Sequence, residues 1–445
     1  MRKTNIYEIG YIYFSTGIGF SKYMNRPIDN FFSKNCFLGG VDFVLKAFHS
    51  LFHSGLQFKK VPSTYNEVVA FGLSNNNKKT LMPIVRELGA EKVCALWDSK
   101  DFPMWRVYFY AFPHLFSLIK EYHRAKVEDK QIIRYFFHKF WRMYGCRKVA
   151  EQFVKNYHPK VVLLANDHLE MNRTLMEVAN EHGVKTLYVQ HASVTDKFPP
   201  LHFSYSMLDG EDSFEKYEST GDLKGEIYLS GGVRFDVIET TKNKKTKAIG
   251  VAINSVDSQE LVTRDCLLLK EHFTPSGWKV VLRPHPAMNQ DYWRNWCVGN
   301  GIGFSCSTEE SSFDFLGKLS FLISNQSSIH LDAAMCHVPS IIYNMSESEV
   351  KDHYGYSEKG LVPEARNINE LCDVIDRAAE YQYDTQIVRY FNSSYNTPFE
   401  GKVAVMIASL IREVLKGNSL EQFNKENGFK LRDGNDSFHV FSVNG

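Results

Sequence analysis

The sequence predicts an α/β protein built on two parallel, doubly wound sheets, with extra helices at the N-terminus. Three observations lead to this prediction. From about residue 65 onward, short apolar segments alternate with helix-like segments, as strands and helices do in parallel sheets. A polar and basic segment, "ETTKNKKTK", interrupts this alternation and has the composition of an interdomain linker. At 445 residues, the chain is long enough for two or three domains with separate cores.

The first series of elements ends at the linker. Its predicted strands are "NEVVAFGL", "EKVCALW", "KVVLLAND", "VKTLYVQHA" and "EIYLSGGVRFD". Gly89 closes one predicted helix, "TLMPIVRELG", and Gly183 closes another, "HLEMNRTLMEVANEHG". Between the second and third strands, an aromatic and basic stretch from Leu115 to Tyr157 has helical character.

The second series begins with the predicted strand "AIGVAINS" and a helix from about Ser258 to Phe273. The later strands are "KVVLRPHP", "IGFSCS", "LSFLISN" and "PSIIYNM", and "KVAVMIASLIREVLKG" is the last helix. We therefore predict four regions: an aromatic helical extension over 1–64, a first domain over 65–240, a second over 241–417, and a polar tail over 418–445 without regular structure. The carboxyl ends of both sets of strands are expected to line a cleft between the two domains.

Composition excludes several classes of protein. The net charge of +1 is not that of a globally basic nucleic-acid binder, and no aromatic strand platform or base-reading motif is present. The eight cysteines form no C-x-x-C pair and no metal-type spacing, which indicates reduced thiols in a cytoplasm. The N-terminus lacks the apolar core of a signal peptide, and no apolar run approaches the length of a membrane span. We expect a soluble cytoplasmic protein.

The aromatic N-terminal third leaves two interpretations open. The first 60 residues have amphipathic helical segments that either pack on the first domain or lie on a membrane surface. The basic stretch from Leu115 to Tyr157 has the same alternatives: contact with anionic lipid or an anionic acceptor, or a solvated helix face.

Two strand ends in the second domain carry side chains suited to phosphate. Arg283 and His285 end a strand that two prolines terminate, and a guanidinium fork with an imidazole donor suits a nucleotide phosphate. Ser327 and Ser328 follow another strand where a helix begins, so hydroxyls and free backbone N–H groups could receive an anion. The alternatives are an incidental histidine in a turn and a serine that only caps the helix.

These motifs, followed by an Asp and then Pro-x-Ile-x-Tyr, resemble the donor domain of bacterial surface-polysaccharide transferases. The group includes capsule Kdo transferases, bacterial sialyl- and polysialyltransferases and CDP-glycerol glycerophosphotransferases, all with the GT-B fold of two Rossmann-like domains facing a central cleft. "SGGVRFD" and "VQHAS" resemble first-domain motifs of the same families, with Ala192 in the place of their glycine. The resemblance covers mainly residues 160–360. It implies that His285 with Pro286, and Ser327 with Ser328, bind a cytidine nucleotide, and it extends less securely to Arg283 and Asp332.

Transfer also needs a group that accepts the proton of the acceptor hydroxyl. Asp167, followed by His168 and Glu170, comes directly after a strand, and His191 ends the next one. Asp257 follows the first strand of the second domain and is a candidate nucleophile for a retaining reaction. Helix capping is the alternative role of Asp167 and of Asp257, and a hydrogen-bonded strand end that of His191.

The sequence has no D-x-D element on a loop, so we predict transfer without a metal or other cofactor. The predicted function is a glycosyltransferase of capsule, O-antigen or lipopolysaccharide synthesis, with a CMP-linked donor such as CMP-Kdo or CMP-sialic acid. The predicted partners are this donor and a glycan or lipid-linked acceptor, with peripheral contact to the inner face of the plasma membrane as an option. Three alternatives stay open: a CDP-polyol phosphotransferase, an enzyme like UDP-GlcNAc 2-epimerase, and a non-catalytic glycan-binding subunit.

Overall fold

The computed structural model describes residues 35–60, 67–194, 198–241, 246–347, 352, 354–377 and 382–443. Contacts within the chain divide it into two units. Unit 1 comprises residues 1–234 together with 402–445, and unit 2 comprises residues 235–401. Each unit contains its own sheet and its own apolar core.

Unit 1 contains an eight-stranded sheet. Its strands are β1 (Val68–Phe71), β2 (Val93–Leu96), β3 (Val161–Leu164), β4 (Lys185–Val189), β5 (Tyr205–Leu208), β6 (Gly225–Leu229), β13 (Phe429–Gly434) and β14 (Phe438–Val443). They lie in the order β13-β14-β6-β5-β4-β3-β1-β2, and every neighbouring pair is parallel except the β13–β14 hairpin. The order reverses between β1 and β3, which is the kind of point where such sheets bind ligands.

The helices of unit 1 fall into two groups. The N-terminal group comprises α1 (Cys36–His53), α2 (Asn75–Leu88), α3 (Trp105–Ala111), α4 (Leu115–Arg124), α5 (Val127–Tyr135) and α6 (Phe137–Tyr157). The later group comprises α7 (Glu170–Glu181), α8 (Glu211–Glu218), α15 (Val403–Lys416) and α16 (Glu421–Glu426). The predicted helix before Gly89 is α2, which Ser74 caps and which ends where Gly89 adopts φ +95°. The stretch from Leu115 to Tyr157 is three helices, α4 to α6.

Close packing between α3 and α6 requires a glycine. A Cβ atom on Gly145 of α6 would lie 1.8 Å from the carbonyl oxygen of Val107 on α3. Trp141, one turn earlier, donates from its indole Nε1 to the carbonyl of Ala111, at 2.8 Å. These contacts hold α3 closely against α6.

The segment from 418 to 445 differs from the predicted polar tail. It contains α16 and the β13–β14 hairpin, and β14 pairs in parallel with β6. The reason is an alternation of apolar and polar residues in "FHVFSV", which puts Val440 in the core, while the polar residues of β13 face solvent. The sequence pattern also does not predict β5 and α8, which are short elements.

Unit 2 has a six-stranded sheet. Its strands are β7 (Ala248–Ile253), β8 (Lys279–Pro284), β9 (Gly303–Phe304), β10 (Phe321–Ser324), β11 (Ser340–Tyr343) and β12 (Glu364–Ala365). Its helices are α9 (Gln259–Phe273), α10 (Gln290–Asn300), α11 (Ser312–Leu316), α12 (Ile329–Met335), α13 (Ile368–Asp376) and α14 (Thr385–Phe391). All neighbouring strands are parallel, in the order β12-β11-β10-β7-β8-β9. Counted along the unit, this is the 3-2-1-4-5-6 order of dinucleotide-binding sheets.

The predicted α/β class with two Rossmann-like domains is confirmed. A GT-B fold is built from two domains of this type. The predicted N-terminal helices are represented by α1, whereas residues 1–34 lie outside the described residues. Within the described ranges, no helix combines the length and the apolar character needed to cross a membrane.

Candidate functional site

The loop after β3 in unit 1 is folded by an asparagine. Asn166 accepts hydrogen bonds through Oδ1 from the backbone N–H groups of His168, at 3.1 Å, and Leu169, at 2.7 Å. This turn brings the chain from β3 into α7. Because Asn166 makes these bonds, Asp167 is not needed as a cap, and no side chain caps α7.

Asp167 is fully buried and holds its neighbours in place. Its Oδ1 lies 2.9 Å from Nδ1 of His168, and Tyr217 donates its hydroxyl to Oδ2 at 2.8 Å. Burial opposes the charge, but the hydrogen bonds from His168 and Tyr217 and the attraction of His168 lower the pKa of Asp167. The capping interpretation of Asp167 is therefore wrong. Because Asp167 is buried, a substrate at this edge would contact the partly exposed His168 and not the carboxylate itself.

His168 has a fixed orientation. Its ring stacks on Phe198 with 4.5 Å between ring centroids, and its side chain is 20% exposed. Since Nδ1 faces Asp167, Nε2 points away from the buried carboxylate. A buried carboxylate that orients a partly exposed imidazole is the arrangement by which proteins set the tautomer of a general base.

His191 follows β4, the strand next to β3. Burial lowers its pKa, with a smaller opposing effect from Asp167, and its Nδ1 has no hydrogen-bond partner. The ring does make a hydrogen bond with the backbone of Ala165, as the strand-end interpretation predicts, and Nδ1 is the nitrogen without a partner. The preceding Gln190 accepts from the backbone N–H of Asp209 at 2.9 Å, which ties the ends of β4 and β5 together.

The motif "SGGVRFD" follows β6 at the same edge of the sheet. Gly231 adopts φ +84°, which the first Gly of the motif can do without strain. Arg234 reaches back to Asp209, with 3.8 Å between Nη2 and Oδ2. The ends of β3, β4, β5 and β6 therefore form one polar edge, which we call the unit 1 edge: Asn166, Asp167, His168, Gln190, His191, Asp209, Gly231 and Arg234.

Asp257 closes the loops at the switch point of the unit 2 sheet. Its Oδ2 accepts from the backbone N–H of Asn254 at 2.7 Å, and its Oδ1 from Nδ2 of Asn325 at 2.8 Å. Nδ2 of Asn325 also donates to Oδ1 of Asn344, at 3.1 Å. Burial raises the pKa of Asp257, against the effect of its two hydrogen bonds. Asp257 thus links loops after β7, β10 and β11 and does not cap α9, which contradicts the capping interpretation.

Arg283 does not extend an open guanidinium fork. Its Nη1 donates to Oγ of Ser305 at 2.7 Å, and its Nη2 to the carbonyl of Glu310 at 2.8 Å. The side chain is buried over the ring of Phe315, and burial lowers its pKa. Arg283 therefore fixes the loop after β9, and the expectation that its fork faces a phosphate is not met.

His285 and Pro286 are exposed just beyond the end of β8. The backbone N–H of His285 donates to the carbonyl of Ile253 at 2.9 Å, which continues the β7–β8 pairing. Its Nδ1 accepts from the N–H of Ala287 at 3.2 Å, so Nε2 is the nitrogen directed outward. Pro284 ends the strand as the sequence predicted.

Ser327 and Ser328 are half-buried between β10 and α12. Ser327 accepts from the N–H of Ile329 at 3.4 Å, and Ser328 occupies the N-cap position without a side-chain cap bond. The preceding Gln326 is buried, and its Oε1 has no hydrogen-bond partner. The strand ends of unit 2 form a second polar edge, which we call the unit 2 edge: Asn254, Asp257, His285, Pro286, Asn325, Gln326, Ser327, Ser328 and Asn344.

Sequence reasoning missed three residues that shape the unit 2 edge. Asn325 and Gln326 lie inside the "SNQSS" segment, between the strand and the two serines we selected. His330 is fully buried and lies 3.0 Å from the carbonyl of Asn325 through Nε2 and 3.1 Å from the hydroxyl of Ser340 through Nδ1. Asp332, in contrast, accepts from Ser312 of α11 at 3.3 Å, so it packs against a neighbouring helix. The run of polar residues directly after a strand was the available signal.

Comparisons with known proteins give similarities of fold. No family model matches the sequence, and no curated protein matches it. One similar solved structure is the S. aureus MnaA–UDP co-structure, with a TM-score of 0.45, 12% identity, and coverage of 78% of this chain and 96% of that one. Another is UDP-GlcNAc 2-epimerase from Neisseria meningitidis bound to UDP-GlcNAc, with a TM-score of 0.48, 10% identity, and coverage of 79% and 99%. A third is the wall teichoic acid polymerase TagF, with a TM-score of 0.47, 12% identity, and coverage of 86% and 98%.

Proposed function

We propose that this protein is a glycosyltransferase of bacterial surface-polysaccharide synthesis that uses a nucleotide-activated donor, with a CMP-linked sugar such as CMP-Kdo or CMP-sialic acid as the donor. The observation that carries the proposal is the unit 2 edge. It lies at the switch point of a sheet with the 3-2-1-4-5-6 strand order, where nucleotides bind in such folds. The Asp257–Asn325 hydrogen bond spans this point between β7 and β10.

The donor nucleotide is assigned to the exposed and unpaired groups of the unit 2 edge. Nε2 of His285 and the hydroxyls of Ser327 and Ser328 are donors suited to phosphate oxygens. The unpartnered Oε1 of buried Gln326 is suited to accept a hydrogen bond from an N–H or O–H group of the nucleotide, because a buried acceptor without a hydrogen bond is energetically costly. Pro286 lies in the turn that follows His285, which the backbone N–H of Met288 closes by donating to the carbonyl of His285 at 2.9 Å.

Two residues of the predicted site are proposed to hold loops of the unit 2 edge in place and not to contact the donor. Arg283 fixes the loop after β9, and Asp257 fixes the loops after β7 and β10. Both oxygens of Asp257 accept hydrogen bonds within the protein, which disfavours the nucleophile of a retaining reaction.

The acceptor hydroxyl is assigned to the unit 1 edge. As the hydroxyl oxygen attacks the anomeric carbon, the bond from that carbon to the phosphate oxygen breaks and CMP leaves. The hydroxyl proton passes to an imidazole, for which His168, oriented by Asp167, and His191 are the candidates. Burial lowers the pKa of His191, which favours the neutral imidazole that can accept a proton.

The assignment places the reaction in the cytoplasm. All eight cysteines are free thiols, which supports a reducing compartment. The acceptor is a growing glycan or its lipid-linked form.

The test is the thermal midpoint of unfolding with CMP, CDP, UMP, UDP and GDP, for the wild type and for His285→Ala. A nucleotide at about 100 times its dissociation constant stabilises the protein by roughly 2.7 kcal/mol, which raises the midpoint measurably. We expect a rise with CMP that is lost in His285→Ala. His272→Ala is the matched control, since His272 is an exposed histidine of the same unit on α9.

Other results would redirect the proposal. A rise with CDP but not CMP would favour a CDP-polyol phosphotransferase. A rise with UDP alone would favour an enzyme like UDP-GlcNAc 2-epimerase or a UDP-sugar transferase. Binding of CMP without turnover of any CMP-sugar would favour the non-catalytic glycan-binding subunit.

A further inference from the structure

Helix α1 is apolar on the side that packs against the rest of unit 1 and also on its exposed side. Gly39 and Phe43 are buried, and Phe43 stacks on Trp141 of α6 with 3.8 Å between ring centroids. A Cβ on Gly39 would lie 2.6 Å from Cβ of Phe137, so the helix is seated closely. Eight other positions of α1 nevertheless carry large exposed apolar side chains: Phe37, Leu38, Val41, Val44, Leu45, Phe48, Leu51 and Phe52.

Neighbouring helices extend this exposed apolar surface. Phe109 of α3 and Phe112 directly after it are exposed. Phe116 of α4 is 81% exposed, and Val127 of α5 is 83% exposed. Two grooves run along α1. The one between α1 and α3 has a volume of about 640 Å³, and the one between α1 and α4 about 690 Å³, and both are lined almost entirely by apolar atoms. We call this surface, which is formed by α1, α3 and α4 together with Phe112 and Val127, the aromatic face. Contiguous apolar surface of this extent marks a site of interaction.

The charges around the aromatic face are predominantly positive. Residues 105–157 contain eleven Lys and Arg against four Asp and Glu, although Arg142 and Arg147 are paired with Glu170 and Glu181 from outside this range. Lys120, Arg124 and Lys126 are exposed on the same stretch as Phe116 and Val127. On α1, Lys46 is paired with Asp42, at 2.8 Å, so α1 itself adds little charge.

We propose that the aromatic face docks on an anionic lipid membrane, with α1 and α4 lying in the plane of the interface. The exposed side chains of α1 and α4 enter the acyl region, and the grooves beside α1 receive acyl chains. The basic side chains from Lys120 to Lys126 meet anionic headgroups. A second copy of the chain is disfavoured as the occupant, because two such basic surfaces would repel each other.

The proposal goes beyond the proposed glycosyl transfer, and its test is independent of activity. The full chain is mixed with vesicles of phosphatidylcholine, with and without phosphatidylglycerol, and the bound fraction is measured by flotation at low and high salt. We expect binding to the anionic vesicles that weakens with salt. Phe48→Ser combined with Phe116→Ser, and separately Lys120→Glu combined with Arg124→Glu, should each lower the partition coefficient about tenfold or more.

Matched controls lie in unit 2. Val298→Ser removes a side chain that is 75% exposed on α10, and Lys279→Glu reverses an exposed charge, and both should leave vesicle binding unchanged. Because all substituted side chains are exposed, the thermal midpoint and the CMP response should stay those of the wild type in every variant.

Three results would overturn the proposal. Equal binding to neutral and anionic vesicles would remove the role of the basic residues. Binding to neither would assign the aromatic face to residues 1–34 or to another protein. A dimer that forms without vesicles and is broken by Phe48→Ser with Phe116→Ser would assign it to a second copy. If the wild type binds anionic vesicles but its thermal midpoint does not rise with CMP, the result would count against the proposed function alone.

Discussion

Asp167 is the residue on which the acceptor half of the proposed reaction depends. It is buried and receives hydrogen bonds from His168 and Tyr217, and the hydroxyl of Tyr217 lies 3.1 Å from that of Tyr188. The carboxylate therefore connects the buried tyrosines to a partly exposed imidazole. In this arrangement Asp167 is a positioning residue and His168 is the group that can touch a substrate.

Asp167→Asn should lower kcat for transfer about a hundredfold, because His168 loses the charge that orients its ring. The CMP-induced rise in thermal midpoint should stay unchanged, since the donor is assigned to unit 2. Asp433→Asn, at an exposed position of β13, is the control. Equal kcat values in Asp167→Asn and the wild type would contradict the role of Asp167. If both residues act together, combining Asp167→Asn with His168→Ala should cost little more than His168→Ala alone.

His330 predicts a pH dependence of stability. Burial lowers its pKa to about 4, so it is neutral in the folded protein, where Nε2 donates to the carbonyl of Asn325 and Nδ1 accepts from Ser340. The unfolded chain binds a proton near the ordinary histidine pKa, about 6.5. The contribution of neutral His330 to the free energy of unfolding is therefore fully present above about pH 6.5 and is lost as the pH falls toward 4.

Between pH 7 and pH 5, His330 alone should reduce the free energy of unfolding by about 2 kcal/mol. The measurement is urea unfolding of the wild type and His330→Asn at several pH values. The variant should be less stable at pH 7 but should lose less stability on acidification. Parallel pH profiles for the two proteins would show that His330 is not the group responsible. His138 and His202, whose pKa values burial also lowers to about 4, contribute to both profiles equally.

Helices α6 and α7 are joined by a buried ion pair. Nη2 of Arg142 on α6 lies 2.6 Å from Oε2 of Glu170 at the start of α7. Burial opposes the charge of Glu170, but Arg142 and then Lys139 lower the pKa of Glu170 to about 2. The pair sets the position of α7, which begins directly after Asp167 and His168.

Glu170→Gln should destabilise the protein by about 3 kcal/mol, because it leaves the guanidinium of Arg142 buried without its counter-charge. Arg142→Met combined with Glu170→Met should be less destabilising than either single change. Denaturant unfolding of all variants gives the comparison. Glu67→Gln is the control, since the Lys160–Glu67 pair is largely exposed and should contribute less than about 1 kcal/mol. Additive losses in the double variant would argue against coupling.

The β13–β14 hairpin should be an integral part of unit 1. Val440→Ala removes core contacts next to β6 and should cost roughly 2 kcal/mol in the free energy of unfolding. Leu431→Ala, 60% exposed on the partner strand β13, should change stability by less than about 0.5 kcal/mol. Equal effects of the two substitutions would show that the hairpin does not pack as described.

Local pattern predicted most of the sheet elements, and tertiary contacts decided the rest. Apolar runs such as "KVVLLAND" and "KVVLRPHP" predicted β3 and β8 because buried parallel strands are continuously apolar. The hairpin after residue 418 was not predicted because β13 is mostly polar and exposed. Its partner β14 is held in the sheet by pairing with β6, a contact that local sequence does not reveal. The candidate residues chosen from the sequence lie at or just beyond the ends of β3, β4, β7, β8 and β10, and their roles stay a proposal. The roles of Arg283 and Asp257 could not be predicted, because their partners, Glu310 and Asn325, are distant in sequence.

At the scale of the whole molecule, each sheet presents its own polar edge. The unit 2 edge offers His285, Gln326, Ser327 and Ser328 for a nucleotide, and the unit 1 edge offers two imidazoles for a hydroxyl. If the proposed division of roles is right, substitutions in the two units should change different kinetic constants. Donor binding should depend on unit 2, and the proton transfer on unit 1.

The most direct test is therefore the steady-state release of CMP from CMP-Kdo and CMP-sialic acid, with and without polysaccharide acceptors, by the wild type, His285→Ala and Asp167→Asn. We predict acceptor-dependent CMP release from one of these donors. His285→Ala should raise the KM for the donor, and Asp167→Asn should lower kcat with little change in that KM. No CMP release from either donor, or release that neither substitution alters, would contradict the account.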